Sequence, residues 1–129
     1  MKKLLLVIAL VSATALAANQ FWFGKTMDPA KAEARWGHDE FRPQAFKAAT
    51  PEARAKMAAS AVRNKRLWIG KSLPEVRQEL GSHDGYYFTD SIPAYLVQIA
   101  ETAADETWQV VFLPDNKNRV KDVIIHRNY

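Results

Sequence analysis

The 129-residue chain contains no cysteine. That absence excludes disulfides, thiolate metal sites, a cysteine nucleophile and anchoring through a lipidated cysteine. Glycine is scarce, at 5 residues, and no glycine-rich loop or low-complexity tract is present. Charge of one sign is also lacking. Basic residues number 18 against 14 acidic ones, and removing Lys2 and Lys3 with the leader described below leaves a surplus of two. A dedicated nucleic-acid binder needs a concentrated basic face, so that class is set aside. A hydrophobic content of 48% with 25% charged residues is that of one globular domain rather than a disordered chain.

The longest apolar run lies at the start. Met1-Lys2-Lys3 precedes Leu4 to Leu16, and Ala15-Leu16-Ala17 has the form of an A-x-A cleavage site. Residues 1–17 therefore read as a signal peptide. The alternative is an uncleaved anchor over residues 4–23, roughly the 20 residues needed to span hydrocarbon, with Phe21-Trp22-Phe23 at the interface. Either reading places the remainder outside the cytoplasm, in the periplasm or secreted, and the second holds it at the inner membrane.

Residues 18–49 read as an irregular, aromatic-rich extension that lies across the domain, with a short helix over Ala30–Arg35 behind Asp28-Pro29. Thr50-Pro51-Glu52 opens an amphipathic helix running to about Leu67. Ser72-Leu73-Pro74-Glu75 is a capping box that opens a second helix, closed by Gly81. Tyr86–Phe88, Ala94–Ile99, Thr107–Leu113 and Arg119–His126 are rich in strand formers, and residues 114–118 form a hairpin turn. Helices followed by antiparallel strands indicate an α+β fold. The expectation is two helices packed on a three- to four-stranded antiparallel β-meander.

The run Gly70-Lys71-Ser72-Leu73-Pro74-Glu75-Val76-Arg77-Gln78-Glu79-Leu80-Gly81 precedes the Trp108–Phe112 strand, the Asp115–Asn118 turn and Val120. This pattern resembles the SmpA/OmlA domain of BamE-type envelope proteins and, more loosely, the repeat unit of β-lactamase inhibitor proteins. The resemblance spans residues 50–129. It implies an exported, non-catalytic adaptor that binds a protein partner in the cell envelope, in outer-membrane protein assembly or maintenance. BamE-type proteins carry a lipidated cysteine at the mature N-terminus and this chain has none, so outer-membrane anchoring is not carried over.

No reaction is announced by the remaining residues. Gly70-Lys71-Ser72 has the ending of a phosphate-binding loop, but position 65 is Lys where that loop needs glycine, so it reads as a helix cap. His38-Asp39-Glu40 and His83-Asp84 pair imidazole with carboxylate, and with His126 they are the raw material for a metal-dependent hydrolase. Sequence neighbours seldom share a site, and no metal or cofactor is expected. Ser60, Ser72, Ser82 and Ser91 lie outside any Gly-x-Ser-x-Gly elbow. Arg54, Lys56, Arg63, Lys65 and Arg66 form a basic stretch that suits solvent, anionic lipid headgroups or an acidic partner. Tyr86, Tyr87, Phe88 and Tyr95 are the candidate partner-binding residues, on an open sheet face or packed beneath the chain's own extension. An inhibitor-like module that fills an enzyme's cleft is the alternative function.

Overall fold

Proline and capping residues set the helical half of the molecule. In the computed structural model, which describes residues 25–99 and 106–128, each of four α-helices carries a proline in its first turn. There its missing N–H costs nothing and its fixed φ suits the helix. Helix α1, Pro29–Trp36, is capped by Asp28, whose carboxylate accepts from the Lys31 N–H at 2.8 Å. Helix α2 is Pro43–Ala48. Helix α3, Pro51–Arg63, starts on the Thr50 hydroxyl. Helix α4, Leu73–Leu80, carries the full Ser72–Glu75 capping box, and Gly81 leaves it at φ 84°. That reciprocal hydrogen bonding holds the Glu75 carboxyl below its usual range, the Ser72 N–H being the largest cause.

The first long helix stops earlier than its amphipathic pattern suggests. Asn64 donates its side-chain amide to the Ser60 carbonyl, competing with the helical ladder, and the chain tightens into a 3₁₀ turn over Lys65–Leu67. Trp68 can then turn into the core.

Four antiparallel strands form one sheet. They are β1 Lys25–Met27, β2 Ala94–Gln98, β3 Thr107–Pro114 and β4 Val120–Asn128, in the spatial order β1-β4-β3-β2. The fold is α+β, as the sequence indicates. The fourth strand is not Tyr86–Phe88, however, but β1 from the N-terminal segment. Phe88 sits at φ 60°, which breaks an extended path, and that stretch holds only an isolated Tyr87–Thr89 bridge. The β3–β4 hairpin follows its turn chemistry closely. Asp115 accepts from the N–H groups of Lys117 (2.8 Å) and Arg119 (3.0 Å), and Asn118 takes the left-handed position at φ 59°. The Arg119 and Lys117 amides keep the Asp115 carboxyl below its ordinary range.

Strand alternation sends Tyr95, Val97, Val110, Phe112, Val123 and Ile125 toward the helices. There they meet Ala58, Ala61, Leu73, Val76 and Leu80. Phe41, Phe46, Tyr95, Phe112 and Trp68 close a ring of five edge-to-face contacts, with centroids 5.1–5.9 Å apart. Each such pair adds roughly 0.5–1.5 kcal/mol beyond area burial. Two of the five rings come from the segment read as an irregular extension. That segment instead contributes β1, α1, α2 and fully buried Ala32 and Phe46 to the one core. The segment read as a signal peptide or anchor, within residues 1–24, and most of the Glu101–Glu106 connection lie outside the described residues.

Candidate functional site

The second face of the sheet carries Ala94 and Leu96 of β2, Gln109 and Val111 of β3, and Ile124 and His126 of β4. Residues 82–92 fold back over this face and along the β2 edge. Gln109, fully buried, grips the returning chain with both ends of its amide. Its Oε1 accepts from the Tyr86 N–H at 3.0 Å, and its Nε2 donates to the Tyr86 carbonyl at 2.7 Å. The Gly85 N–H donates to the Ala94 carbonyl at 2.8 Å. A β-carbon at Gly85 would sit 2.4 Å from Gln109 Oε1 and 2.8 Å from that carbonyl, so only glycine allows the approach.

The edge of β2 is sealed by an ion pair. Asp84 accepts from the Leu96 N–H at 3.0 Å, and Arg54 of α3 donates to both Asp84 (2.8 Å) and the Leu96 carbonyl (3.3 Å). The Arg54 guanidinium lies over the rings of Phe46 and Tyr95. A free strand edge is an invitation to foreign pairing, and these groups close it.

The four candidate binding residues therefore separate. Tyr86 and Phe88 stand out from the returning loop with 52% and 54% of their surface exposed. The Tyr86 hydroxyl donates to the Phe88 carbonyl at 2.5 Å and helps hold Phe88 in its left-handed conformation. Such a backbone is costly for an aromatic residue and is kept where the surroundings over-determine it. Tyr87 turns inward, its ring edge-on to His126 at 4.8 Å, and burial raises its phenol above the ordinary value. Tyr95 does not reach this surface. Its side chain faces the helices, wholly buried, and its hydroxyl donates to the Gly81 carbonyl at 2.8 Å. A residue alternating on β2 faces one layer or the other, and this one is core. Tyr95 does pack against the 18–49 segment, edge-on to Phe46 at 5.4 Å, whereas Tyr86, Tyr87 and Phe88 lie with the returning loop on the sheet's other face.

Burial pushes the Tyr95 phenol up to about 12. The folded state thus holds this proton more tightly than the unfolded chain, whose phenol titrates near 10. Its contribution is complete below about pH 10 and is lost as the pH rises toward 12. Melting temperature should fall across that window, and Tyr95→Phe should remove that part of the fall while costing about 1 kcal/mol at neutral pH.

The other candidates are spread apart or already engaged. Gly70 donates its N–H to Val120, Lys71 pairs with Glu79 at 2.6 Å, and Ser72 caps α4. His38 lies in the turn after α1, His83 beside the Tyr95 ring, and His126 on β4. Among the described residues no three histidines or carboxylates gather as a metal-holding group. Ser60 accepts from the Phe41 N–H, and Ser91 shares a hydrogen bond with Thr89. The basic stretch is largely neutralised inside the molecule: Arg54 by Asp84, Arg63 by Glu33 and Lys65 by Asp122.

A cleft of about 740 Å³ opens between the end of α1, the first turn of α3 and the end of β2, lined by Arg35, Trp36, Glu52, Val97 and Ile99 among others. Within it the Trp36 indole N–H donates to Gln98 at 3.0 Å, and Arg35 pairs with Glu106 beyond the lining. Sequence reasoning passed over Gln109 and read Arg54 as part of a basic surface stretch rather than as a buried partner of Asp84. The signal for Gln109 was an amide between Trp108 and Val110 in an otherwise apolar strand; nothing local marked Arg54. No helix among the described residues is long and apolar enough to cross a membrane. No family model matches the chain, and neither a curated protein nor a solved structure matches it.

Proposed function

We propose that this chain is a non-catalytic, exported adaptor that binds a protein partner of the cell envelope through the 85–92 loop, with Tyr86 and Phe88 as the contact residues. The observation that carries this reading is the loop's construction. A buried glutamine, a glycine with no room for a side chain and a left-handed Phe88 together present two large aromatic surfaces outward. Rigid aromatic anchors on a preorganised loop suit protein recognition, because little conformational freedom remains to be lost on binding. The leader-like residues 1–17 and the BamE-like pattern over 50–129 support export and a role in outer-membrane protein assembly or maintenance.

The test is crosslinking and mass spectrometry from intact cell envelopes, using the full chain tagged after Tyr129. Tyr86→Ala and Phe88→Ala should each weaken capture of the partner by about 30-fold or more, without changing the far-ultraviolet spectrum. Recovery of a membrane-protein assembly complex supports the adaptor. Recovery of one soluble enzyme in a stoichiometric complex supports the inhibitor-like alternative instead. Capture that survives both substitutions moves the contact away from this loop and overturns the site.

A further inference from the structure

A second exposed corner stands apart from the aromatic loop. The connection between α3 and α4 is stitched to the start of β4 by four hydrogen bonds. The Gly70 N–H donates to the Val120 carbonyl (2.8 Å), the Val120 N–H to the Lys71 carbonyl (2.8 Å), the Leu73 N–H to the Asn118 carbonyl (3.3 Å), and Arg119 Nη1 to the Gly70 carbonyl (3.0 Å). Residues 65–72 and 115–121 are therefore tied together as one tip. Trp68 is drawn into the core against Phe41 and Phe112. With Trp68 pointing in, its neighbours point out: Leu67 is 68% exposed and Ile69 45%.

Charge at this tip is sorted by partner. Lys65 and Lys71 are held by Asp122 and Glu79. Asp115 is occupied by amides of its own turn, and Glu75 by the α4 cap. Arg66, Lys117, Arg119 and Lys121 are all exposed, and among the described residues none of the four forms an ion pair within 4 Å. The tip thus carries four exposed cations and two exposed aliphatic side chains, against the Asp115 and Glu75 carboxylates, which feel Lys117 and Arg119 from nearby.

We infer that this tip docks on an anionic bilayer surface, with Leu67 and Ile69 entering the headgroup–acyl boundary and Arg66, Lys117, Arg119 and Lys121 on lipid phosphates. Exposed apolar side chains on a tip with an excess of exposed cations match the two components of an interfacial site, hydrocarbon burial and attraction to anionic headgroups. An acidic protein fits less well. Two side chains on a convex tip fall far short of the roughly 1,200 Å² that a stable protein interface buries, and the corner offers no aromatic anchor on its surface. The tip also lies at the far end of the sheet from Lys25. That residue is aligned with Arg127, seven positions along β4 from Val120, about 23 Å away at strand rise. The inference does not rest on residues 1–24, nor on the partner-binding reading of Tyr86 and Phe88.

Because the chain has no cysteine, a single Leu67→Cys substitution can carry an environment-sensitive fluorophore at the tip. The full chain so labelled is mixed with protein-free vesicles of neutral phosphatidylcholine, or of the same lipid with 30% anionic phosphatidylglycerol. The expected result is a blue shift on the anionic vesicles only, reversed by 0.5 M salt. Replacing Arg66, Lys117 and Lys121 together by Gln should weaken this response roughly 100-fold. A label at Phe88→Cys should stay in water, which separates docking by the tip from adsorption of the whole chain. A label at 67 that stays in water on both vesicles, or shifts equally on both, overturns the proposal. A shift produced only by lipid-free envelope protein would assign the tip to an acidic protein and overturn it too. Leu67 is exposed, so the circular dichroism spectrum of each variant should match the parent and exclude misfolding as the cause.

Discussion

Phe46→Ala is expected to lower the unfolding free energy by about 3–5 kcal/mol, the usual cost of removing a buried aromatic ring and leaving a cavity. The ring is fully buried, edge-on to Phe41 at 5.1 Å and to Tyr95 at 5.4 Å, with the Arg54 guanidinium 5.5 Å above it. Its loss opens the closed circle of five aromatics and leaves Arg54 over empty space. A domain of this size has about 5–15 kcal/mol of stability in all, so this single change takes a large share of it. Urea denaturation followed by both far-ultraviolet circular dichroism and tryptophan fluorescence is the appropriate measurement. One shifted, coincident transition places the 25–49 segment inside the cooperative unit. A midpoint within about 0.5 kcal/mol of the parent, the range of a surface substitution, would mean that the segment is an appendage.

Gln109→Leu is expected to cost about 2–4 kcal/mol, although the two side chains have similar volume. The amide bonds both backbone groups of Tyr86, and the substitution removes both part-buried hydrogen bonds, at about 1–3 kcal/mol each. The effect should be local first. Hydrogen exchange across residues 85–92 should quicken while the β3–β4 hairpin keeps its protection. Capture of the proposed partner should fall although Tyr86 and Phe88 are still present, because the loop no longer holds them in place. Gly85→Ala reaches the same result by collision, since its β-carbon would press on Gln109 and on the Ala94 carbonyl. Unchanged exchange in both variants would show that Gln109 and Gly85 do not hold the loop, and would remove the preorganisation argument from the proposed function.

These two residues mark the boundary between local and tertiary information. Helix starts were legible because Asp28-Pro29, Thr50-Pro51 and Ser72-Leu73-Pro74-Glu75 act within one turn, through caps whose partners lie three residues away. The hairpin was legible for the same reason, Asp115 and Asn118 determining a turn within five residues. Alternation along Thr107–Leu113 likewise marks which side chains face the helices.

The aromatic residues are where local reading ran out. Tyr86, Tyr87, Phe88 and Tyr95 have similar chemistry in the sequence, yet one pair is exposed, one ring rests on a histidine and one is core. That division depends on Gln109, 23 positions downstream, and on the register between β2 and β3. The place of residues 25–49 was hidden likewise, because β1 pairs with β4 about a hundred residues away. The basic stretch of α3 and the turn after it looked like one surface until Asp84, Glu33 and Asp122 arrived from elsewhere in the chain to neutralise most of it. By itself, then, the sequence determined the helix starts at Asp28-Pro29, Thr50-Pro51 and Ser72, the hairpin, the α+β class and the absence of thiol chemistry, all consequences of interactions over a few residues or of composition; the short Pro43–Ala48 helix was not among them. Only the tertiary structure decided which aromatic rings and which cations remain at the surface, because that depends on long-range pairing.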